Sequence, residues 1–551
     1  MHASLLERLV SRVAPTFAVN RLKSKMQFDV IASLGGSLGS ENALFGSDDV
    51  TGTRDDGGSR RWRPAPRDAK ADSLKHLPLQ RGQSRDLVRT SPIALGAINT
   101  NVDRVVGTGL ALSAQPHRGI LGWSVEETVA WKMHVQAEFS LWADSPECDI
   151  AGTLNFYEQQ GLLLRSTLES GDTFTILPDG EPTSTQPYRL RIQLLEGDRC
   201  GNPKGTRDTE EIAGGVRMGQ GGVPMAFFIY DHHPGGVRVA GDRWAGRWYE
   251  RLGRSGRRRI LHHYRKLRPE MPRGVPYLAP IVGCIKQLTR YTEAEIAAAV
   301  ISSYFTVFIK SDGGNAAAPI FQGGGAPGEG GNGGDVSELG PAAIIDLAKG
   351  EEAQFANPLR PNPNFDPFVQ AVLRQIGMAL GIPYELLVKK FDASYSASKA
   401  ALLDAGIYFR SVRTWLSRSF CQPVYETWLA EAVSRGRVTA PGFFTDPLLR
   451  WAYTRALWHG DSMGSINPKD EVAAYSAAVD ARFMSRERAE WELFGTDWND
   501  TFDQKEAEES RLRKAQMLPV PKAGAAAPQN SPKPSAEPSK EDAVENEAVP
   551  A

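Results

Sequence analysis

Ser396 and Lys399 stand three residues apart in "SYSASKAALLDAGIYFRS". Some serine acyl-transfer enzymes use that spacing, with the lysine beside a serine nucleophile. Those enzymes also carry Ser-Asp-Asn and Lys-Thr-Gly partner motifs, and neither occurs in this chain. A serine ahead of an alanine- and leucine-rich run is what a helix start needs by itself, so Ser396 reads as a cap. A second serine, Ser462 in "GDSMG", matches G-x-S-x-G. That motif needs a strand, a sharp turn and a helix, with an acid and then a histidine later in the chain. His459 is the last histidine and "SINP" opens no helix, so the triad order fails.

Two histidine pairs, His232-His233 and His262-His263, raise metal binding. Neighbours on a strand point to opposite faces, so only one of each pair can reach a shared ion. No H-E-x-x-H accompanies them, and no G-x-x-x-x-G-K-[ST] exists for a nucleotide phosphate. The reading is of no enzyme, no metal and no cofactor.

The 551 residues include 64 basic and 65 acidic ones, a formal net charge of -1. The chain as a whole is therefore not a polycation built to grip nucleic acid, although a local basic patch or a neutral surface that DNA slides past remains compatible. Cys148, Cys200, Cys284 and Cys421 are far apart, which argues against a zinc ribbon or a disulfide framework and for a reducing compartment. No apolar stretch is long enough to span a membrane. "MHASLLERLVSRVAPTF" reads as a short amphipathic helix.

Residues 31–85 are rich in Gly, Ser, Asp and Arg and read as a poorly ordered arm, with order beginning near Asp86. Helical spacing around Pro92 gives way to strand after Gly107 and Gly109. Residues 125–145 read as a helix with Val125, Val129, Met133 and Phe139 on its apolar side. "YRLRIQLLEGD" alternates as a half-buried strand. "MAFFIYDHHPGGVRVAGD" reads as a hairpin turned at Pro234-Gly235-Gly236, and "RRRILHHYRKL" as a further strand. A helix spans 277–305, with Leu278, Ile281, Ile285, Leu288, Ile296 and Val300 on one stripe, then the strand "TVFIKSD". The Gly-rich run 311–340 reads as a flexible insertion. A helix capped by Asp366, with Pro367 at its first helical position, ends at Gly381. Another runs from Ser396 to about Arg435, bent at Pro423, and more helix follows in 468–492. The tail after Leu518 reads as disordered. Six tryptophans from Trp415 onward are interface anchors or core, with nothing in the sequence to choose.

Several stretches, in order, resemble the lambda-type portal proteins of tailed bacteriophages. They are "SPIALGAINTNVDRVVGTGLAL", "DIAGTLNFYEQQGLLLRSTLESGDTF", "RLRIQLLEGDR", "RGVPYLAPIVGCIKQLTRYTEAEIAAAVISSYF", "NPNFDPFVQAVLRQIGMALGIPYELL", "SYSASKAALLDAGIYFRS" and "FCQPVYETWLAEAV". Together they cover about residues 85–500.

The resemblance implies an α+β, helix-rich, ring-forming subunit: a β-rich wing, long stem helices and a helical C-terminal region. It implies a homo-oligomeric ring, usually of twelve subunits, at a capsid vertex. Double-stranded DNA passes through the channel, and the packaging terminase, capsid proteins and tail or connector proteins are partners. The location implied is the virion, and the host cytoplasm during assembly. The division implied is an N-terminal helix and arm (1–85), a wing-like region (86–276) and a stem and clip-like region (277–350). A tunnel-loop-like segment with long helices (351–435), a crown-like region (436–518) and a tail (519–551) follow. The Gly-rich run 311–340 is a departure from the family. "FANPLRPNPN" occupies the tunnel-loop position, so Asn357, Arg360, Asn362 and Asn364 are expected to line the channel. The alternatives are another virion component, such as a scaffold or tail hub, and a metal-dependent hydrolase using the histidine pairs.

Overall fold

The structure, a computed structural model, describes residues 66–236, 242–303, 307–311, 351–355, 363–390, 395–461, 468–496 and 498–515. The N-terminal helix, the Gly-rich run and the tail expected from the sequence lie outside these residues. The chain forms two units, residues 1–466 and 467–551.

The first correction falls at the start. Residues 66–85 are not an arm. Helix α1 (Ala69–Leu74) is capped by Asp68, whose carboxylate accepts from the Ala71 N–H, and α2 (Leu77–Thr90) buries Leu77, Arg81, Ser84 and Leu87. Polar composition misleads here because the two arginines of α2 that face inward find carboxylates from distant strands. Ser91 caps α3 (Pro92–Val105), with Pro92 in its first turn. Gly107 and Gly109 then turn the chain into β1 (Ala111–Ala114), as expected.

Helix α4 (Val125–Ala143) opens on a capping box between Ser124 and Glu127. Its buried face is Trp131, Val135, Phe139 and Trp142. Val125, Val129 and Met133 are 53%, 39% and 44% exposed, so three of the four residues expected inside lie outside. The helix carries two apolar stripes, and the one bearing the tryptophans wins the core because those rings bury the most surface. A second capping box, Asn155 with Glu158, starts α5 (Phe156–Ser170).

The β-rich part holds two antiparallel sheets. In one, β2 (Asp172–Ile176) pairs with β3 (Gln193–Glu196) on one side and β8 (Ile260–Tyr264) on the other. In the other, β4 (Ile212–Ala213), β5 (Val216–Met218), β6 (Pro224–Tyr230) and β7 (Gly246–Glu250) follow in order. A small core of Phe174, Ile176, Leu195, Val216, Phe227 and Ile260 includes residues of both. Tyr188, Leu190 and Ile192 are buried, but the expected strand is shorter: Leu190 and Ile192 form only isolated bridges ahead of Gln193–Glu196, and Arg191 between them is buried too, donating to the carbonyls of Tyr188 and Glu181. The expected hairpin at Pro234-Gly235-Gly236 is corrected in its partner: β6 pairs with β7, so the returning strand is "GRWYE", while 237–241 lie outside the described residues. Trp248 and Tyr249 supply the cross-strand partners for Phe228 and Phe227 in that register.

Helix α6 (Val282–Ser303) follows a 3-10 turn, Ala279–Ile281, and leads to β9 (Val307–Ser311). Strand β9 pairs antiparallel with β10 (Glu351–Phe355), so the ends of the 312–350 stretch start from one hairpin base. Helix α7 (Phe365–Leu380) ends at Gly381 in the left-handed region, φ 67°. Asp366 is not its cap. Asn364 occupies that position, and the Asp366 carboxylate, one residue inside the helix, accepts from Gln370 Nε2. Helix α8 (Tyr384–Val388) is one short turn and a half.

Helix α9 (Tyr395–Leu416) passes through a π turn, Ser417–Cys421, into α10 (Gln422–Ser434). The π turn stands just before Pro423, the residue without an N–H for the helical ladder. Gly436, φ 71°, follows the helix end. Helix α11 (Pro447–Thr454) leads into β11 (Ala456–His459), which pairs with β1 and ties the two ends of the unit together. The main core gathers Phe139, Trp142, Phe156, Phe420, Tyr425 and Trp428.

In the second unit, α12 (Pro468–Asp480), α13 (Arg486–Phe494) and α14 (Trp498–Lys514) meet the expectation of helix there. The Tyr475 hydroxyl donates to Glu492, and Lys505 pairs with Glu490.

Candidate nucleic-acid interface

The expected channel segment ends at Asn364, where α7 begins, and α7 packs against α6. Helices α6 and α7 run antiparallel. The Tyr277 hydroxyl, ahead of α6, donates to the Leu380 carbonyl at the end of α7. Tyr291, midway along α6, packs on Phe365 and Phe368 at the start of α7, with ring centroids 5.6 and 4.7 Å apart. Helix α6 continues for twelve residues past Tyr291, about 18 Å. On that overhang Ile296 is 64% and Val300 51% exposed, whereas Ile285 and Leu288 are buried. Of the apolar stripe read from the sequence, the first part is buried in this chain and Ile296 and Val300 are exposed.

Asn364, the last of the four expected residues, is exposed at the cap position of α7. Asn357, Arg360 and Asn362 lie outside the described residues. Ser396 lies one residue inside α9, so it is not the flanking cap the sequence suggested; the cap position falls on residue 394, outside the described residues. Ser462 is also outside them.

The histidines fall into different roles. His262 is buried, its Nε2 3.0 Å from Asp172 Oδ2, with its ring stacked on Phe174 and on Tyr264. His263 faces the other side of β8, with Nε2 2.8 Å from Thr175 Oγ1. Burial and the neighbouring His262 push His263 down to about 3, so it is neutral at physiological pH. His233 stands near Glu196 and Asp198. The guanidinium of Arg85 already holds that pair, 2.5 Å from Asp198 and 3.7 Å from Glu196, and so occupies the carboxylates an ion would need.

The feature that sequence reading missed is the cluster around Asp172. Its carboxylate is fully buried. Arg81 Nη2 lies 2.5 Å from Oδ1, and Arg273 Nε lies 2.5 Å from Oδ2. Burial alone would raise this carboxyl; Arg273, Arg81 and the His262 bond outweigh it and hold it well below the usual range. Arg273 also donates to the carbonyls of Gly197, Cys200 and Gly214, and Arg81 to that of Ser170. One carboxylate therefore ties α2, β2, β8 and the 273 loop together, with every partner satisfied at short range. The carboxylate is enclosed, and both its oxygens are taken up by guanidinium and imidazole groups. It does structural work. Only the burial of residues 81, 172, 262 and 273 beside one another reveals it, and no spacing in the sequence signals that.

Residues 55–413 match the family described as phage portal protein, lambda family. The chain is 24% identical to portal protein B of Escherichia phage lambda over 515 residues, 88% of this chain and 95% of that protein. It is also 24% identical to the portal protein of Escherichia phage N15, over 85% of this chain and 90% of that protein. A solved neck of an empty GTA particle, computed with C6 symmetry, aligns at TM-score 0.40 and 14% identity over 74% of this chain and 92% of that one. With an ordered series of matching segments and a profile that spans most of the chain, this protein belongs to the lambda family of phage portal proteins, a structural and not an enzymatic family.

Proposed function

We propose that twelve copies of this chain form a ring around a channel through which double-stranded DNA enters and leaves a capsid. The ring is a virion component assembled in the host cytoplasm. The packaging terminase docks on it during filling, and capsid and tail or connector proteins contact its other surfaces. The family match over most of the chain carries this reading. On it, the sheets of 160–275 belong to the wing, α6 to the stem and the β9–β10 hairpin to the base of the clip. Residues 396–435 and beyond belong to the inner wing and crown.

Asn357, Arg360, Asn362 and Asn364 then face the bore. Amides offer uncharged hydrogen bonds to phosphate, and one arginine per subunit makes a single cationic ring. Duplex DNA carries about one charge per 1.7 Å of axis, so a strongly basic lining would hold it, whereas this one allows passage.

Electron microscopy of the purified protein tests the ring. Particles with a central hole are expected, and monomers or open fibres would overturn the reading. Replacing 357–364 with a Gly-Ser linker tests the channel segment. Assembly should persist, because α7 is anchored downstream by Leu373, Ile376 and Leu380. The encapsidated DNA should be shorter. Normal DNA length would remove these residues from the bore, and loss of the ring would make them an interface element.

A further inference from the structure

A cleft of about 970 Å³ lies between the turn that follows β7 and the helices α10 and α11. The turn is built to project. Leu252 bridges to Arg258, the Gly253 N–H donates to the Arg257 carbonyl, and Gly256 has φ +75°. That tight closure displays Arg251, Arg257 and Arg258 on one wall. Arg435 and Arg450 stand on the other, and Arg189 completes the lining.

Six arginines thus face three carboxylates, Asp179, Glu426 and Glu431. Each carboxylate is already engaged. Asp179 pairs with Arg257 at 2.7 Å, and Glu426 with Arg258 at 3.5 Å. Glu431 pairs with Arg435 at 2.7 Å and also accepts the backbone N–H groups of Arg189 and Leu190. Among the described residues, no carboxylate lies within ion-pair distance of Arg251 or Arg450. The Arg450 guanidinium instead packs over the Phe443 ring. Between the charges the cleft exposes apolar surface: Leu252 is 43%, Phe444 62% and Trp451 50% exposed. Unpaired guanidinium groups beside uncovered aromatic rings call for an anionic ligand that also brings apolar side chains. A duplex offers only phosphate to the walls and is too wide for a cleft of this volume.

The sequence contains a segment of the required chemistry. Residues 541–551, "EDAVENEAVPA", hold Glu541, Asp542, Glu545 and Glu547, no lysine or arginine, and the valines Val544 and Val549. We propose that the cleft seats this acidic segment from a neighbouring copy, its carboxylates on Arg251 and Arg450 and a valine against Trp451 and Phe444. The proposal rests on the ring reading, because it needs a second copy. The stretch 516–540 allows a contour of about 80 Å between α14 and the segment.

The test uses the full chain with p-benzoylphenylalanine at Val544, co-assembled from equal amounts of isotopically heavy and light copies and irradiated. Expected are mixed heavy–light cross-links from residue 544 to peptides containing 251–258 or 444–451. Their yield should fall about tenfold in Arg251→Glu/Arg450→Glu, equivalent to about 1.4 kcal/mol, since both exposed pairs are reversed in sign. Adding Glu541→Arg/Asp542→Arg should restore it, which no general damage to the fold would do. Cross-links elsewhere, links only within one isotopic copy, or a yield indifferent to charge reversal would overturn the proposal. So would protection of the cleft by duplex DNA in place of tail cross-links. Light scattering on the same samples separates the two claims: absence of an oligomer sinks the ring, while an oligomer without these cross-links sinks only the tail site.

Discussion

Arg81 and Arg273 at Asp172, and Arg251 and Arg450 in the cleft, are one residue type put to opposite uses. The first two are buried and short-range bonded to one carboxylate. The second two are exposed, with no carboxylate partner among the described residues. Removing charge from water is costly, so the buried pair survives only because Asp172 and four carbonyls surround it. The exposed pair keeps its hydration and stays available to a ligand. A count of arginines cannot separate a staple from a docking surface; the environment does.

The comparison breaks most visibly at its buried end. Asp172→Asn leaves two guanidinium groups without their counter-charge and should cost about 3–5 kcal/mol. Urea unfolding followed by circular dichroism measures it, and a loss below 1 kcal/mol would show that the cluster is not the staple described. The pH dependence is next. His263 is held near 3 when folded, against about 6.5 when unfolded. The unfolded chain therefore binds the proton first. Stability is fully present above pH 6.5 and falls as pH drops, by up to about 1.4 kcal/mol per pH unit down to pH 3. His262 is shifted in the same direction, by burial. Asp172 adds a further loss below about pH 4, where the unfolded carboxylate takes its proton. His263→Gln should flatten the slope between pH 6 and pH 4, read from unfolding midpoints across that range; an unchanged slope would take His263 out of this account.

A smaller effect sharpens the same contrast. Asp172→Leu with Arg81→Met and Arg273→Met removes all three charges together and should fall within about 1–2 kcal/mol of the natural chain, far less than Asp172→Asn alone. If the triple variant is the worse of the two, the hydrogen bonds to carbonyls matter more than the ion pairs. The smallest effect belongs to the exposed pair. Arg251→Ala and Arg450→Ala should each change unfolding stability by no more than about 0.5 kcal/mol. A larger loss would mean that those arginines hold the fold and are not free for a ligand.

Elements with one strong local signal were legible in the sequence. The glycine stop at Gly381, the strand at "ILHHY" and the helix across 282–303 all follow from period, Gly or β-branched content read in place. Where two local readings competed, the sequence alone chose badly. Helix α4 has two apolar stripes, and the choice between them depends on Phe156, Phe420 and Trp428, which arrive from elsewhere in the chain. The partner of β6 comes after a long connection, because strand pairing follows cross-strand packing and not proximity to the nearest turn. The tryptophans divide: Trp428 is core, and Trp451 is half exposed.

What the sequence determined by itself is the family, because matching segments in a fixed order survive where single residues do not, and the lack of a workable catalytic triad, because chain order is itself sequence. What only the tertiary structure decided is which charges are buried together. Arg81, Asp172, His262 and Arg273 lie up to 192 positions apart in a chain whose formal charge nearly cancels. Folding α2 against β2 and β8 removes them jointly from water, and an ion pair's strength is set by that removal, which no linear spacing encodes.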